Sequence, residues 1–262
     1  MPEGHTIHRL ALDHEKALGG QALKVSSPQG RFEEAARLDG LRLKRTEAHG
    51  KHLFYLFEKG LVLHVHLGLF GRYFSSKSPP TRVRPTTRLL LQGTSRSFAL
   101  VGPTACELLS PSRRRELLGR LGPDPLRPDA DLDAVRAALA RRKTPIGQVL
   151  LDQSVLAGVG NVYRAEALLV AGIHPERPCK ELTDEQVTTL WATLVKMLRD
   201  GVRDGRIITV APEELPGPPS KIRRKEAVYV YGRRTCRRCK GPVSQLTSAN
   251  RTLYACLACQ TG

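Results

Sequence analysis

Two Cys-x-x-Cys pairs near the carboxyl end, Cys236/Cys239 and Cys256/Cys259, constrain the fold of this chain more than any other feature. Each pair presents two thiolates, and four thiolates suit a tetrahedral Zn2+. The 16 residues between the pairs suit a β-hairpin. The spacing predicts a zinc hairpin over residues 226–260 holding one structural Zn2+. A redox role fits less well, because a catalytic dithiol usually comes singly. Cys106 and Cys179 read as ordinary small buried residues. The first thirty residues carry no secretory signal, which places the chain in the reducing cytoplasm, where disulfides are not expected.

Charge narrows the partners. The chain holds 42 Lys and Arg against 25 Asp and Glu, a formal net charge of +17. A protein this basic repels itself unless a polyanion offsets the charge. DNA, RNA and anionic membrane all qualify. No apolar run approaches the roughly 20 residues that span a bilayer, so nucleic acid is the expected partner. Arg233, Arg234, Arg237, Arg238 and Lys240 crowd the first knuckle, a density suited to phosphate, although some must be solvated surface.

Patterning ahead of the hairpin divides the chain, giving an α+β class. Residues 1–125 read as a leading helix and a β-sandwich or flattened barrel. Ile7, Leu10, Ala11, His14 and Leu18 share one helical face, stopped by Gly19-Gly20. The runs 52–57 and 61–67 flank the turn Glu58-Lys59-Gly60 as a hairpin, and 88–92 and 97–101 supply further strands. Residues 126–225 turn helical. Leu132, Val135 and Leu139 mark one helix, and Thr144-Pro145 reads as cap then proline opening a second. The turn Ala157-Gly158-Val159-Gly160-Asn161 leads into a third helix ending near Gly172. Thr183-Asp184-Glu185-Gln186 is a capping box for a fourth, with Val187, Leu190, Trp191, Leu194 and Leu198 facing the core. The proline-rich stretch 206–226 reads as a loop with a basic end.

The amino terminus carries a possible nucleophile. Removal of Met1 would leave Pro2 as a free secondary amine. An α-amine has a pKa near 8, so about one molecule in ten is neutral at pH 7. Attack on a sugar aldehyde carbon gives an iminium ion that eases loss of the 3′ phosphate, and adjacent Glu3 can shuttle the proton. Alone, Pro-Glu at this position is more often an unremarkable terminus.

Three motifs in order alter that balance. Pro2-Glu3-Gly4, Gly158-Val159-Gly160-Asn161-Val162-Tyr163 and the four-cysteine hairpin together resemble the formamidopyrimidine-DNA glycosylase/endonuclease VIII family over essentially the whole chain. The resemblance implies an N-terminal β-sandwich, a helix–two-turn–helix and a zinc hairpin. It also implies a base-excision glycosylase that cuts the strand by β,δ-elimination on duplex DNA holding oxidised bases or abasic sites. Pro2 would be the Schiff-base nucleophile and Glu3 the acid. Lys51, otherwise a surface lysine heading a strand, would serve β-elimination. Arg251 would grip phosphate and serve δ-elimination. Asn161 would contact phosphate, cap its helix, or both. Arg120 would contact DNA. Flipping a base from the stack is costly, and Leu69-Phe70 in a glycine-flanked turn would fill the void, although burial against the sandwich fits the residues as well.

The Pro-Glu-Gly opening resembles the endonuclease VIII branch, which implies oxidised pyrimidines and a monomer near the nucleoid. Two positions depart from the family. Thr6 stands where a second glutamate is common, and Gly68 where a larger polar residue is frequent. Two alternatives stay open here: the purine branch, excising 8-oxoguanine or formamidopyrimidines, and a noncatalytic zinc-containing DNA binder.

Overall fold

The computed structural model describes residues 2–248 and 250–261. The expected loss of Met1 and the final Gly262 lie outside them. The chain forms two compact units: Pro2, Glu3 and Ile7–Gly119 belong to one, and Gly4–Thr6 with the chain from Arg120 onward to the other.

The first unit opens with α1 (Gly4–Leu18), whose Ile7, Ala11, His14 and Leu18 are buried, and the helix stops at Gly19 as its glycine pair requires. Eight strands follow: β1 (Lys24–Ser26), β2 (Leu43–His49), β3 (His52–Phe57), β4 (Val62–His66), β5 (Arg72–Lys77), β6 (Thr87–Gln92), β7 (Arg96–Val101) and β8 (Ala105–Leu109). They make two four-stranded antiparallel sheets, in orders β2-β3-β4-β8 and β1-β6-β7-β5. Alternation fixes which face is inside: Leu53, Tyr55, Leu63 and Val65 join Leu89, Leu91, Phe98 and Leu100 in one core. On the opposite face, Phe54, Val62 and Leu109 pack with Leu117 and Leu118 of α2 (Pro111–Gly119). The expected 52–57/61–67 hairpin is present, its turn a single 3-10 turn in which Lys59 takes φ 57°. Cys106 is only half-buried, unlike the fully buried Cys179, which corrects its reading as interior.

The second unit carries α3 (Leu132–Ala140), α4 (Ile146–Val149), α5 (Asn161–Val170) and α6 (Asp184–Asp204). The capping box forms as the sequence implies: the Gln186 N–H donates to Thr183 Oγ1 at 3.2 Å, and the Thr183 N–H to Gln186 Oε1 at 3.0 Å. Val187, Leu190, Leu194 and Leu198 face the core, with Trp191 half-buried against it. One expectation fails in detail. Pro145 itself takes the cap position of α4 in an extended conformation, so Thr144 caps nothing and the helix lasts four residues. The 206–226 stretch is more ordered than a loop: Ile208, Val210 and Ile222 are buried, and the Thr209 N–H donates to the Ala227 carbonyl at 2.8 Å. The hairpin of β9 (Ser244–Ser248) and β10 (Arg251–Ala255) completes the unit, its Leu253, Cys236 and Cys256 packed with Ala165 and Leu169 of α5.

Candidate functional site

In the first unit, Glu3 is fully buried and extended (φ −122°, ψ 179°) as the residue before α1, while Pro2 is half-buried. Lys51 lies in the two-residue turn Gly50-Lys51 that joins β2 to β3, one residue ahead of the strand that it was expected to head. Gly50 takes φ 58°, which makes that tight turn possible. Leu69 and Phe70 are 57% and 79% exposed, so they are not packed into the sandwich. Their turn closes through the Gly71 N–H and the Leu67 carbonyl at 2.9 Å. Gly68 has φ 64°, and a Cβ there would come within 1.9 Å of Thr104 Oγ1. A side chain at this position would need Thr104 to move and would sit on a left-handed backbone.

In the second unit, the Gly4 N–H donates to the Gly158 carbonyl at 2.8 Å, and a Cβ on Gly4 would lie 3.0 Å from Gly158 Cα. His5 is buried, edge-on to Tyr163 at 5.3 Å, with Nε2 3.2 Å from Thr6 Oγ1. Burial lowers its pKa to about 4, leaving a neutral ring near pH 7. Where a glutamate is common in the family pattern, this chain therefore places a hydroxyl against a neutral imidazole.

The structure corrects the capping part of the Asn161 reading. Gly160, not Asn161, is the cap of α5, and Asn161 is the first helical residue. Its side chain is buried and turned inward: Nδ2 donates to the Thr252 carbonyl at 2.9 Å, and Oδ1 accepts from Arg164. Arg164, fully buried, also donates to the Gly147 carbonyl at 3.0 Å. The motif asparagine is thereby tied to the strand that starts with exposed Arg251. Arg120 is exposed.

The four expected cysteines converge, with their sulfurs all within 4.8 Å of one another. Tetrahedral Zn–S bonds of about 2.3 Å put sulfurs about 3.8 Å apart, and with Cys239 and Cys256 Sγ 3.4 Å apart the donor set and spacing fit the metal after small shifts. The Gly241 N–H lies 3.4 Å from Cys239 Sγ and lowers that thiol to about 7, favouring the thiolate. The basic residues around the knuckle divide. Arg233 donates to the Thr235 and Lys225 carbonyls, Arg237 to those of Glu226 and Glu214, and Lys240 to that of Arg237. Arg238 lies over the Tyr229 ring at 5.4 Å. Arg233 and Arg237 thus pin the 212–226 segment, which sequence density alone presents as phosphate binding.

Comparison with known proteins follows this geometry. The profile of the formamidopyrimidine-DNA glycosylase N-terminal domain matches residues 1–103, and that of the formamidopyrimidine-DNA glycosylase H2TH domain matches residues 121–212. The chain belongs to the formamidopyrimidine-DNA glycosylase/endonuclease VIII family. It is 40% identical to "Endonuclease 8 1" of Mycobacterium tuberculosis, over the full length of both chains. It is 31% identical to the formamidopyrimidine-DNA glycosylase of Thermus thermophilus, over 92% of this chain and 91% of that one. The fold matches Lactococcus lactis Fpg bound to DNA containing N7-benzyl-Fapy-dG, with a TM-score of 0.81 at 23% identity and full coverage of both chains. Membership of a family of base-excision DNA glycosylases agrees with the net charge, and no helix among the described residues is long and apolar enough to cross a membrane.

Among the buried charges that the sequence reading did not single out is Glu166. Glu166 on α5 accepts the N–H groups of Tyr229, Val230 and Tyr231 at 2.7, 2.9 and 2.8 Å and the Thr209 hydroxyl at 2.5 Å. Burial pushes its pKa up, and these four hydrogen bonds pull it back. It anchors the chain that enters the first knuckle. The only sequence signal is that α5 has apolar residues on every side, leaving Arg164 and Glu166 no solvent face.

Proposed function

We propose that this protein is a bifunctional DNA glycosylase and abasic-site lyase acting on oxidised pyrimidines in duplex DNA, as a monomer. The observation that carries the reading is a fully buried Glu3 beside Pro2, in a chain 40% identical along its whole length to an endonuclease 8. With Met1 removed, the Pro2 nitrogen attacks C1′ of the damaged nucleotide while Glu3 protonates the sugar ring oxygen, and the base leaves. The resulting iminium acidifies the C2′ hydrogen. Lys51 accepts that proton and the 3′ phosphate departs; Arg251 grips phosphate for the second elimination. Exposed Leu69 and Phe70 fill the stack that the flipped base vacates. Arg120 adds a phosphate contact. Asn161 serves DNA binding through β10, since its own polar atoms are engaged within the protein. Cys236, Cys239, Cys256 and Cys259 would hold Zn2+, which folds the hairpin and neutralises thiolate charge.

Borohydride reduction in the presence of abasic DNA tests the chemistry. The processed protein should form a covalent adduct at Pro2, and Pro2→Gly or a form retaining Met1 should trap poorly. No adduct with processed protein would favour a noncatalytic DNA binder. Substrate choice is read from duplexes holding thymine glycol or 8-oxoguanine. The 31% identity to a formamidopyrimidine-DNA glycosylase keeps the purine reading in the comparison, and faster excision of 8-oxoguanine would establish it. Chelating the metal should weaken DNA binding, and undiminished affinity after verified metal loss would remove the hairpin from the interface.

A further inference from the structure

Alternation places Leu89, Leu91, Phe98 and Leu100 in the sandwich core, so Leu90 and Ala99 belong to the outer face of the same sheet. Phe74 of β5 stands opposite Ala99 on that face. An outward leucine is ordinarily wet, yet Leu90 is only 4% exposed. The cause is the connection from β5 to β6, residues 78–86, which folds across the sheet there. Between that connection and the strands lies a cavity of about 500 Å3, lined on the sheet side by Phe74, Leu90 and Ala99.

The polar lining of this cavity has one sign of charge. Arg82 and Arg84 contribute to it and no carboxylate does. Arg84 Cζ lies 3.9 Å over the centre of the Phe74 ring. Both arginines are exposed, and among the described residues neither forms an ion pair. Elsewhere in this unit Arg9, Arg45 and Arg113 each hold a nearby carboxylate. Two uncompensated guanidinium groups attract an anion, and an arginine stacked on an exposed aromatic ring offers a platform to a flat, conjugated group. A nucleotide carries both features, and the volume lies within the roughly 300–1,000 Å3 usual for a small-ligand site.

We propose that this cavity takes one unpaired nucleotide of the DNA to which the protein is bound. The base stacks against the Phe74–Arg84 pair, its phosphate pairs with Arg82, and the hydroxyls of Ser75 and Ser76, which also line the cavity, hydrogen-bond to the base edge. A paired base cannot enter, because its faces are covered by its neighbours in the stack. The site therefore selects DNA in which duplex gives way to single strand. Phe74 follows Phe70 by four residues, a span of at most about 14 Å. Nucleotides of one strand rise about 3.4 Å each along a duplex, so the cavity lies within about four nucleotides of the Phe70 ring. That placement rests on the reading of Phe70 as a filler of the vacated stack.

Fluorescence anisotropy with duplexes that hold a stable abasic analogue tests the cavity. An unpaired thymidine tail begins about four nucleotides from the analogue, placed in turn on each strand and each side. One arrangement should bind about 10-fold more tightly than the blunt duplex. Phe74→Ala and Arg82→Gln should each abolish that gain and leave blunt-duplex affinity within twofold, whereas Phe74→Trp should keep it. Arg82→Gln should also flatten the log–log salt slope by about one unit on the tailed duplex alone. Arg82 is exposed, so its replacement keeps the test valid even if Phe74→Ala loosens the 78–86 segment. No gain in any arrangement, a gain that survives in Arg82→Gln, or equal losses on tailed and blunt duplexes would each overturn the proposal. A wild type that binds the analogue no better than undamaged duplex would instead refute the repair reading beneath it, and the same variants on undamaged tailed duplexes would still decide the cavity.

Discussion

Removing Glu166 should destabilise the second unit by an amount that its hydrogen bonds set. In Glu166→Ala, three backbone N–H groups lose their acceptor, while Thr209 can still donate to the Ala227 carbonyl at 3.2 Å. Each stranded buried donor costs about 1–3 kcal/mol, and water entering the space recovers part, leaving roughly 3–5 kcal/mol. Glu166→Gln is a sharper test. Its amide nitrogen must face either Val230 and Tyr231, stranding two N–H groups, or Tyr229 and Thr209. The second choice strands only one, because the Thr209 hydroxyl can turn and accept. The expected cost is therefore about 2 kcal/mol, and Thr209→Val should cost about 1 kcal/mol. The protein has a single tryptophan, Trp191, half-buried on α6, so its fluorescence during urea unfolding reports on this unit. The order Ala, then Gln, then the Thr209 variant is the prediction. A Glu166→Ala protein within 1 kcal/mol of wild type would refute the reasoning, as would a glutamine variant as damaged as the alanine one.

Three further outcomes follow from other sites. His14 is buried with Nδ1 2.6 Å from the Tyr55 hydroxyl, and burial lowers its pKa to about 3. The unfolded chain binds that proton near pH 6.5, so this contribution is complete above 6.5 and is lost progressively as pH falls toward 3. The loss at pH 5 is about 2 kcal/mol, and His14→Gln should remove it from the difference between urea titrations at pH 7 and 5; an unchanged difference would contradict this. Gly201→Ala should destabilise despite the roughly 1 kcal/mol that alanine favours in a helix, because its Cβ would stand 2.2 Å from the Tyr163 hydroxyl oxygen and 3.0 Å from His5 Cβ. A raised melting temperature would show that those groups yield freely. Phe70→Ala should leave the melting temperature within about 1 °C, as expected for so exposed a ring, yet slow excision about 10-fold. Unchanged excision would remove Phe70 from the flipped-base site.

Local rules carried the sequence reading wherever the physics is local. The capping box at Thr183–Gln186, the alternation in β3 and β4 and the paired cysteines each state their partner within a few residues. The strand β2, Leu-Lys-Arg-Thr-Glu-Ala-His, shows no such alternation; it is a strand because β3 offers it a ladder of hydrogen bonds, a reason located across a turn. The site residues divide along the same line. Pro2, Glu3, Lys51 and Arg251 are proposed for the site from motif alone. Asn161 is the clearest case. Polar side chains at a helix start read as caps or anion ligands, because sequence rules assume that they face water. Here Thr252, 91 positions later, supplies a carbonyl that turns the side chain inward, and Arg164 holds it there. Glu166 repeats the pattern with donors more than 40 positions away. A polar residue whose partner is remote looks the same in sequence as one facing solvent. A fully apolar surround, as on α5, is the one local sign that the remote partner must exist: an unpaired charge in that position would cost more than the fold can spare.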